Sequence, residues 1–372
     1  MNFRQYTNLT KVVIPERVSL VTNSINMFAN MKNLITADVT CNMSSMKNIF
    51  SQDSMLQSEP YCDEHVVSMS NAYYYCRNIT GSPVVGNNVI DMSYAYYVCS
   101  KITGNPVCGN KVVNMYGAYG TSGITGSPVC GPNVVNMGHT YSGCVKLTGS
   151  PVCGDKVVDM GATYNGCKNI TGSPTCGPHV VNFYRAYRNC QSLTGSPVCG
   201  ARVADFSETY YNCFNLTGSP VCGPNVVNMS QAYYYCFNLT GSPVCGNNVK
   251  DMNYAYWDCS NLAGAPVCGP NVVNMIGTYY GCRTLSGNAY FYSDNVVNFS
   301  NCFYGRYNTT MLNIYVNDGT LSLSKLMSAS IVGSYINWTN DVASNGYHYN
   351  TQYNIYIYPV ENVHNARITN GE

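Results

Sequence analysis

Residues 226–248 read VVNMSQAYYYCFNLTGSPVCGNN, and this stretch recurs with little change from about Pro60 to Asn288. The regular copies start at Pro60, Pro83, Pro106, Pro128, Pro151, Pro174, Pro197, Pro220, Pro243 and Pro266, each 23 residues after the last except Pro128, which follows by 22. A fixed period of about 20–50 residues is typical of stacked repeat proteins, in which each repeat contacts only its neighbours. The sequence therefore predicts one repeat body rather than several globular domains.

Several columns of the repeat vary so little that they indicate the interior of the stack. One column holds only Ile or Leu, as at Leu239; one holds Met or Phe, as at Met229; and one is an unvarying Tyr, as at Tyr233. Each copy must present the same environment at such a position, as a stacked core requires. We predict that Met229, Ala232, Tyr233, Leu239 and Val244 form the core of their repeat.

Two short elements are predicted in each repeat. Asn228 stands where nearly every copy has Asn or Asp, and its side chain is expected to cap one or two helical turns that begin at Met229. Met229, Ala232, Tyr233 and Cys236 would then share one helical face. Residues 239–245, LTGSPVC, are expected to form a short strand that stacks in parallel on its counterparts. Proline cannot donate to a ladder, so it should lie at the edge of this strand.

Three regions follow from the pattern. Residues 1–59 carry imperfect copies and are expected to be a divergent N-terminal cap, residues 60–305 the regular stack, and residues 306–372 a C-terminal cap module. Within that module, 308–316 and 353–358 are predicted to be strands and 322–328 a short helix. Residues 336–338 are predicted to be extended, and 361–366 resemble the start of another repeat.

The balance of charge limits the classes of partner. Charged residues make up 10% of the chain, and 19 basic and 18 acidic side chains nearly cancel. There is no basic stripe, so nucleic acid is not an expected partner. A net charge near zero does little to keep copies apart, which favours a homo-oligomer or a larger assembly. The sequence has no run of about 18 apolar residues, so no membrane insertion is expected.

The first 18 residues lack the continuous apolar core of a signal peptide. We therefore expect either a protein that assembles without conventional export or a fragment of a longer exported protein.

The pattern V-x-N-M-S-x-A-Y-Y-x-C-x-x-L, carried by residues 226–239, resembles the repeats of BspA-like leucine-rich-repeat surface proteins. Similar repeats, with tails like NIYV at 313–316 and NIYIY at 354–358, also resemble those of phage structural proteins. The resemblance implies an α/β repeat fold: a leucine-rich-repeat-like solenoid of 23-residue units with short parallel strands and short helical turns, and a small C-terminal α+β cap. It also implies a non-catalytic protein used for adhesion or binding. The Gly-Ser-Pro-Val-Cys segment and the lack of an export signal depart from the surface proteins and favour the virion interpretation.

The cysteines form two columns. Nine, such as Cys222, lie in the predicted strand, and nine, such as Cys236, in the predicted helical turn. They predict either a disulfide ladder or two stacked columns of buried free thiols, since cysteine behaves as a small hydrophobe. Pairing across repeats, as Cys222 with Cys259, would explain why the columns lose one member each, at Val85 and Ser122; we nevertheless favour free thiols. The sequence has no C-x-x-C, so no metal site is expected.

The sequence gives no support for catalysis. A catalytic site needs convergent groups of different kinds, whereas the repeat supplies the same few groups many times. The recurring carboxylates are expected to cap helical turns, and the histidines to lie on solvent-facing turns; these residues are Asp159, Asp205, Asp251, His65, His139 and His179. No phosphate loop, G-x-S-x-G or H-E-x-x-H is present. We predict no catalytic residue, metal or cofactor.

The variable columns carry the functional signal, because variation beside fixed neighbours indicates exposure. Five aromatic residues of these columns are the predicted ligand-binding stripe: Tyr211, Tyr234, Tyr235, Trp257 and Tyr280. Tyrosine-rich surfaces recognise protein or glycan at modest entropic cost. The alternative is that these rings pack on the adjacent coil or on another subunit.

The predicted function is that of a non-enzymatic structural and recognition protein. The leading hypothesis is a phage virion component, such as a fibre or decoration protein, whose partners are other virion proteins and a host-surface protein or glycan. The alternative is a bacterial cell-surface adhesin, which would place the chain outside the cell.

Overall fold

The computed structural model describes residues 3–16, 18, 24–306, 311–332, 339–340, 347–350 and 352–369. The chain divides into two compact units, Met1–Leu193 and Thr194–Glu372, called the N-terminal and C-terminal units below. Within each unit, successive repeats lie side by side in parallel register. Parallel bridges join Ser45, Ser68, Asp91, Asn114, Asn136, Asp159 and Asn182 in the N-terminal unit, and Asp205, Asn228, Asp251, Asn274 and Asn298 in the C-terminal unit. Each repeat is therefore one coil that contacts its neighbours through equivalent residues.

Regular strands occur where the sequence departs from the repeat. In the N-terminal unit, β1 (Lys11–Ile14) pairs in parallel with β2 (Thr36–Val39). The C-terminal unit holds a mixed sheet of β3 (Gly287–Phe291), β4 (Leu312–Asn317), β5 (Thr339–Asn340), β6 (His348–Asn350) and β7 (Ile355–Val360) in the order β3-β4-β7-β6-β5. The first two pairings are parallel, and the β7–β6 and β6–β5 pairings are antiparallel.

The C-terminal predictions meet different outcomes. The predicted helix is confirmed as α1 (Leu321–Ser328), whose first turn is capped by the Thr320 hydroxyl, 3.2 Å from the Leu323 amide nitrogen. Both predicted strands are present as β4 and β7, with bounds shifted along the chain. Residues 308–310 and 336–338 lie outside the described residues. The prediction of another repeat at 361–366 is wrong, because this stretch enters a second helix, α2 (Val363–Thr369).

The predicted helical turns are wrong: the segment is a series of tight turns. Alternate amides bond to the following repeat, as Gln231 N to Asn253 O (2.9 Å) and Tyr233 N to Ala255 O (2.8 Å). The amides between them bond three residues back within the repeat. Gln231 has a φ of 55°, in the left-handed region, which an α-helix cannot contain. The predicted capping contact is nevertheless present, since Asn228 Oδ1 accepts from Ser230 N at 2.9 Å.

The predicted strand at 239–245 is also absent. Tyr256 instead provides the hydrogen-bond partner for the backbone of Val244. The Tyr256 hydroxyl donates to Val244 O at 2.7 Å and accepts from Val244 N at 3.1 Å. Its partner lies twelve residues upstream, across the same coil. A buried backbone amide and carbonyl must find partners, and here one hydroxyl serves both. Pro243, predicted at a strand edge, is buried.

We call this arrangement, in which one tyrosine hydroxyl bonds to both backbone groups of the residue twelve positions upstream, the tyrosine strap. It recurs in every regular repeat, and the rings of the strap tyrosines form a buried row. In the N-terminal unit the row runs through Phe28, Phe50, Tyr73, Tyr96, Tyr119, Tyr141, Tyr164 and Tyr187, with ring centroids of neighbours 5.3 to 5.8 Å apart. In the C-terminal unit it runs through Tyr210, Tyr233, Tyr256, Tyr279 and Phe303.

Two phenylalanines of the buried row, Phe50 and Phe303, occur in repeats where a paired strand replaces the strapped segment. Twelve residues upstream of Phe50 and Phe303 lie Asp38, in β2, and Phe291, in β3. Those segments bond to neighbouring strands, so their backbone does not need a hydroxyl. At Phe50 and Phe303, the segment twelve residues upstream is therefore paired in a sheet and does not need a tyrosine hydroxyl.

The core prediction is confirmed except at one residue. Met229, Ala232, Tyr233 and Leu239 are fully buried. Val244 is only half-buried, and its counterpart Val84 is 38% exposed. The residue after proline therefore contributes its backbone, held by the strap, rather than its side chain to the interior.

All twenty cysteines are free thiols, in agreement with the favoured prediction. Those in the turn segment are buried and donate to the carbonyl of the preceding row residue, as Cys259 Sγ to Tyr233 O at 3.0 Å. The cysteines two residues after the proline are mostly half-buried. One of them is Cys222, whose thiol lies 3.6 Å from Gly223 O. The two columns consequently have separate backbone partners.

Candidate functional site

Five rings on consecutive repeats of the C-terminal unit form a second, outer row, which we call the aromatic column: Tyr211, Tyr234, Trp257, Tyr280 and Tyr304. Each member directly follows a residue of the buried row, as Tyr234 follows Tyr233. The tight turns place the first residue in the interior and leave the second half-buried, apart from Tyr304, which is 38% exposed.

The rings of the column stack face to face. Their centroids are 4.7 Å apart between Tyr211 and Tyr234, 5.6 Å between Tyr234 and Trp257, and 3.5 Å between Trp257 and Tyr280, with interplanar angles of 2°, 15° and 3°. Tyr304 continues the stack at 4.5 Å from Tyr280. The repeat spacing of the backbone imposes this geometry, because equivalent residues of adjacent coils are bridged in register.

The structure thus brings together four of the five predicted site residues in one stack, with the fifth beside it. Tyr235 lies against Tyr234 in an edge-to-face contact at 4.5 Å and also contacts Phe237 at 5.5 Å. Tyr304 was missed by the sequence prediction, since its repeat is degenerate. Its position directly after Phe303, in the buried-row column, was the signal that could have found it.

Stacking decides which chemistry the column can offer. The faces of the inner rings contact one another, so a ligand can reach chiefly ring edges and phenolic hydroxyls. Ring edges carry partial positive charge and complement carbonyl oxygens or the faces of other aromatic rings. The phenol of Tyr234 is neutral at neutral pH and can donate a hydrogen bond; burial, together with the adjacent Tyr235 hydroxyl, raises its pKa further above the ordinary value of 10.0.

No family model matches the chain, and no curated protein matches it. Among solved structures, YopM from Yersinia enterocolitica WA-314, a leucine-rich-repeat protein, is similar with a TM-score of 0.35 and 12% sequence identity. The match covers 76% of this chain and 57% of YopM, so the chain spans little more than half of that structure.

Other chemistry-bearing groups are dispersed. Within the described ranges, no group of three or more His, Cys, Asp or Glu side chains is arranged to hold a metal ion. His65, His139 and His179 lie on exposed turns, as predicted. A search of the described residues also finds no helix long and apolar enough to span a membrane.

One buried carboxyl group stands apart in the N-terminal unit. Asp53 is fully buried; its Oδ1 accepts from Met31 N at 2.7 Å, and its Oδ2 has no hydrogen-bond partner among the described residues. Burial raises the pKa of Asp53 to about 9, although the Met31 and Asn30 amides and the charge of Arg4 oppose the rise. The carboxyl group is therefore protonated at neutral pH in the folded protein.

This buried proton predicts a pH-dependent stability. Unfolding restores the ordinary carboxyl pKa of 3.8, so between about pH 4 and pH 9 the folded state binds one more proton than the unfolded chain. The free energy of unfolding should fall as pH rises through this window, by up to about 1.4 kcal/mol per pH unit from this group, and level off above it. Urea unfolding from pH 5 to pH 9 measures the slope.

The matched variants are Asp53→Asn, which should flatten the profile, and Asp155→Asn, at an exposed turn, which should keep it. Parallel profiles for the wild type and Asp53→Asn would show that Asp53 does not bind the extra proton.

Proposed function

We propose that this chain is a non-enzymatic structural and recognition protein, a leucine-rich-repeat-like solenoid that uses its aromatic column as a docking surface for protein. The observation that supports the proposal is the continuous stack of five rings on consecutive repeats, four of them half-buried and Tyr304 exposed. Stacking holds these side chains in place before any partner arrives, so little conformational entropy remains to be lost on binding. Rings whose faces are occupied suit the edges and carbonyls of a protein better than the flat face of a sugar.

The partner we propose first is a second copy of the same chain. Nineteen basic and eighteen acidic residues leave almost no net repulsion between copies. Aromatic side chains, moreover, are enriched at the energetic centres of protein interfaces. A homo-oligomer of this kind fits a phage fibre or decoration protein in a virion, where it would also contact other virion proteins and a host-surface molecule.

The column can be tested by sedimentation velocity over a range of concentrations. Trp257→Ser should weaken self-association by about thirtyfold, equivalent to about 2 kcal/mol, as for the loss of a central aromatic anchor. Tyr97→Ser, at the equivalent repeat position in the N-terminal unit, is the control and should leave association unchanged. A wild-type chain that stays monomeric, or equal weakening by both variants, would contradict the proposal.

The biological setting needs a separate experiment. Antibodies against the chain should label purified phage particles in electron micrographs. Label on the surface of intact bacterial cells, and none on particles, would instead support the adhesin.

A further inference from the structure

A second aromatic cluster lies in the N-terminal unit, outside the predicted stripe. Tyr74 and Tyr97 stack with centroids 5.5 Å apart, and Tyr75 and Tyr94 contact both rings. This pair occupies the same repeat position as the aromatic column, but the stack contains only two rings. Beyond Tyr97 the next repeat has Gly120, where an added Cβ would lie 2.6 Å from the ring.

The other end of this short stack is open. Phe50 of the preceding repeat stacks on Tyr73. The residue of that repeat equivalent to Tyr74 is therefore Ser51, which has no ring. Among the described residues, Tyr97 is the only ring stacked in parallel on Tyr74. One face of Tyr74 therefore lacks a stacked ring, which distinguishes it from the inner rings of the aromatic column.

A pocket of about 500 Å³ lies at this open end, lined by Gln52, Ser54, Tyr74, Tyr75 and Arg77. The Arg77 guanidinium lies 5.4 Å from the centroid of the Tyr75 ring, a cation–π contact that orients it. No carboxylate of a described residue forms an ion pair with Arg77. Gln52, Ser54 and Arg77 are exposed, and their side chains make no hydrogen bond to another described residue.

We propose that this pocket binds an acidic saccharide, a pyranose that carries a carboxylate. The carboxylate would pair with the Arg77 guanidinium, which can donate two parallel hydrogen bonds. The C–H face of the sugar ring would lie on the free face of Tyr74, because that face carries the negative part of the ring quadrupole. Sugar hydroxyls would bond to the Gln52 amide and the Ser54 hydroxyl, which both donate and accept.

The lining favours a sugar over an acidic peptide. Energetic centres of protein interfaces are well-packed, desolvated pockets, whereas no aliphatic side chain lines this one. A saccharide instead matches a flat ring bordered by hydrogen-bonding groups, the common composition of small-ligand sites. This site is independent of the aromatic column, so either can fail without the other.

Calorimetric titration of the full chain tests the proposal, with a tetramer of uronic acid residues as the probe. The expected result is saturable binding to the wild type and at least about tenfold weaker binding to Arg77→Ala, the usual scale for a lost charge-assisted pair. Tyr74→Leu should weaken binding to a similar extent. The matched control is Lys168→Ala, which removes a cation from the same repeat position, away from the cluster, and should bind as the wild type does.

Two further probes identify the ligand class. A neutral hexose tetramer should bind at least about tenfold more weakly than the uronic acid tetramer. A tetraglutamate peptide of equal affinity would overturn the saccharide assignment in favour of an acidic peptide. Failure of the uronic acid tetramer to saturate the wild type, or unchanged affinity in Arg77→Ala, would overturn the site itself. Thermal unfolding of each variant confirms that it is folded.

Discussion

Replacing Tyr233 by phenylalanine is expected to lower the free energy of unfolding by about 1–3 kcal/mol, the cost of leaving buried polar groups without partners. The ring would remain in the buried row between Tyr210 and Tyr256. The lost hydroxyl, however, donates to Val221 O at 2.7 Å and accepts from Val221 N at 2.9 Å. Proline precedes Val221, and none of the strands in the described part of the chain pairs with this segment, so the freed groups find no ladder. Urea unfolding monitored by tyrosine fluorescence gives the difference.

Tyr234→Phe is the matched control. It removes one hydroxyl from the next residue, whose ring is half-buried in the aromatic column, and should change stability by less than about 0.5 kcal/mol. Equal losses in the two variants would mean that the strap contributes nothing particular to stability.

The thiols of the native chain should react with a disulfide reagent at pH 8 about a hundred to a thousand times more slowly than those of the unfolded chain, because only the thiolate attacks. Burial raises the pKa of Cys62 to about 11 and that of Cys245 to about 12, against an ordinary value of 9.0. At pH 8 each unit by which the pKa is raised lowers the thiolate fraction about tenfold relative to the unfolded chain. Absorbance of the released thiol, followed with and without 8 M urea, measures both rates.

Two checks accompany this experiment. Thr240→Cys places a thiol at an exposed position and should add one fast-reacting group to the native protein. In urea without reductant, all twenty cysteines should titrate. A smaller number would show that some cysteines are joined in disulfides. That result would contradict the free-thiol arrangement of the structure.

The buried columns could be predicted from the repeat, whereas the backbone conformation could not. Met229, Ala232, Tyr233 and Cys236 recur at helical spacing, yet successive tight turns bury the same four positions. What distinguishes the two conformations is the left-handed backbone at Gln231 and its bond to the next repeat. That bond exists only once coils are stacked, so local spacing does not reveal it.

The candidate sites, too, could be predicted from the sequence only in part. The partial exposure of Tyr234 and Trp257 followed from variation in their column, but the stacking of their faces depends on the distance between coils. The pocket at Tyr74 depends on an interruption: it exists because the preceding repeat has Ser51 where an aromatic ring would otherwise lie. A property of two neighbouring repeats together is not visible in either repeat alone.

The tyrosine strap also bears on how these chains avoid unwanted assembly. A sheet edge exposes a row of free amides and carbonyls that can recruit strands from other molecules, and such edges are a common route to aggregation. In each strapped repeat, the residue after proline has both backbone groups bonded to a hydroxyl of its own coil. Proline beside it supplies no amide at all. This flank of the repeats is therefore closed to strand addition, and association is directed to side-chain surfaces.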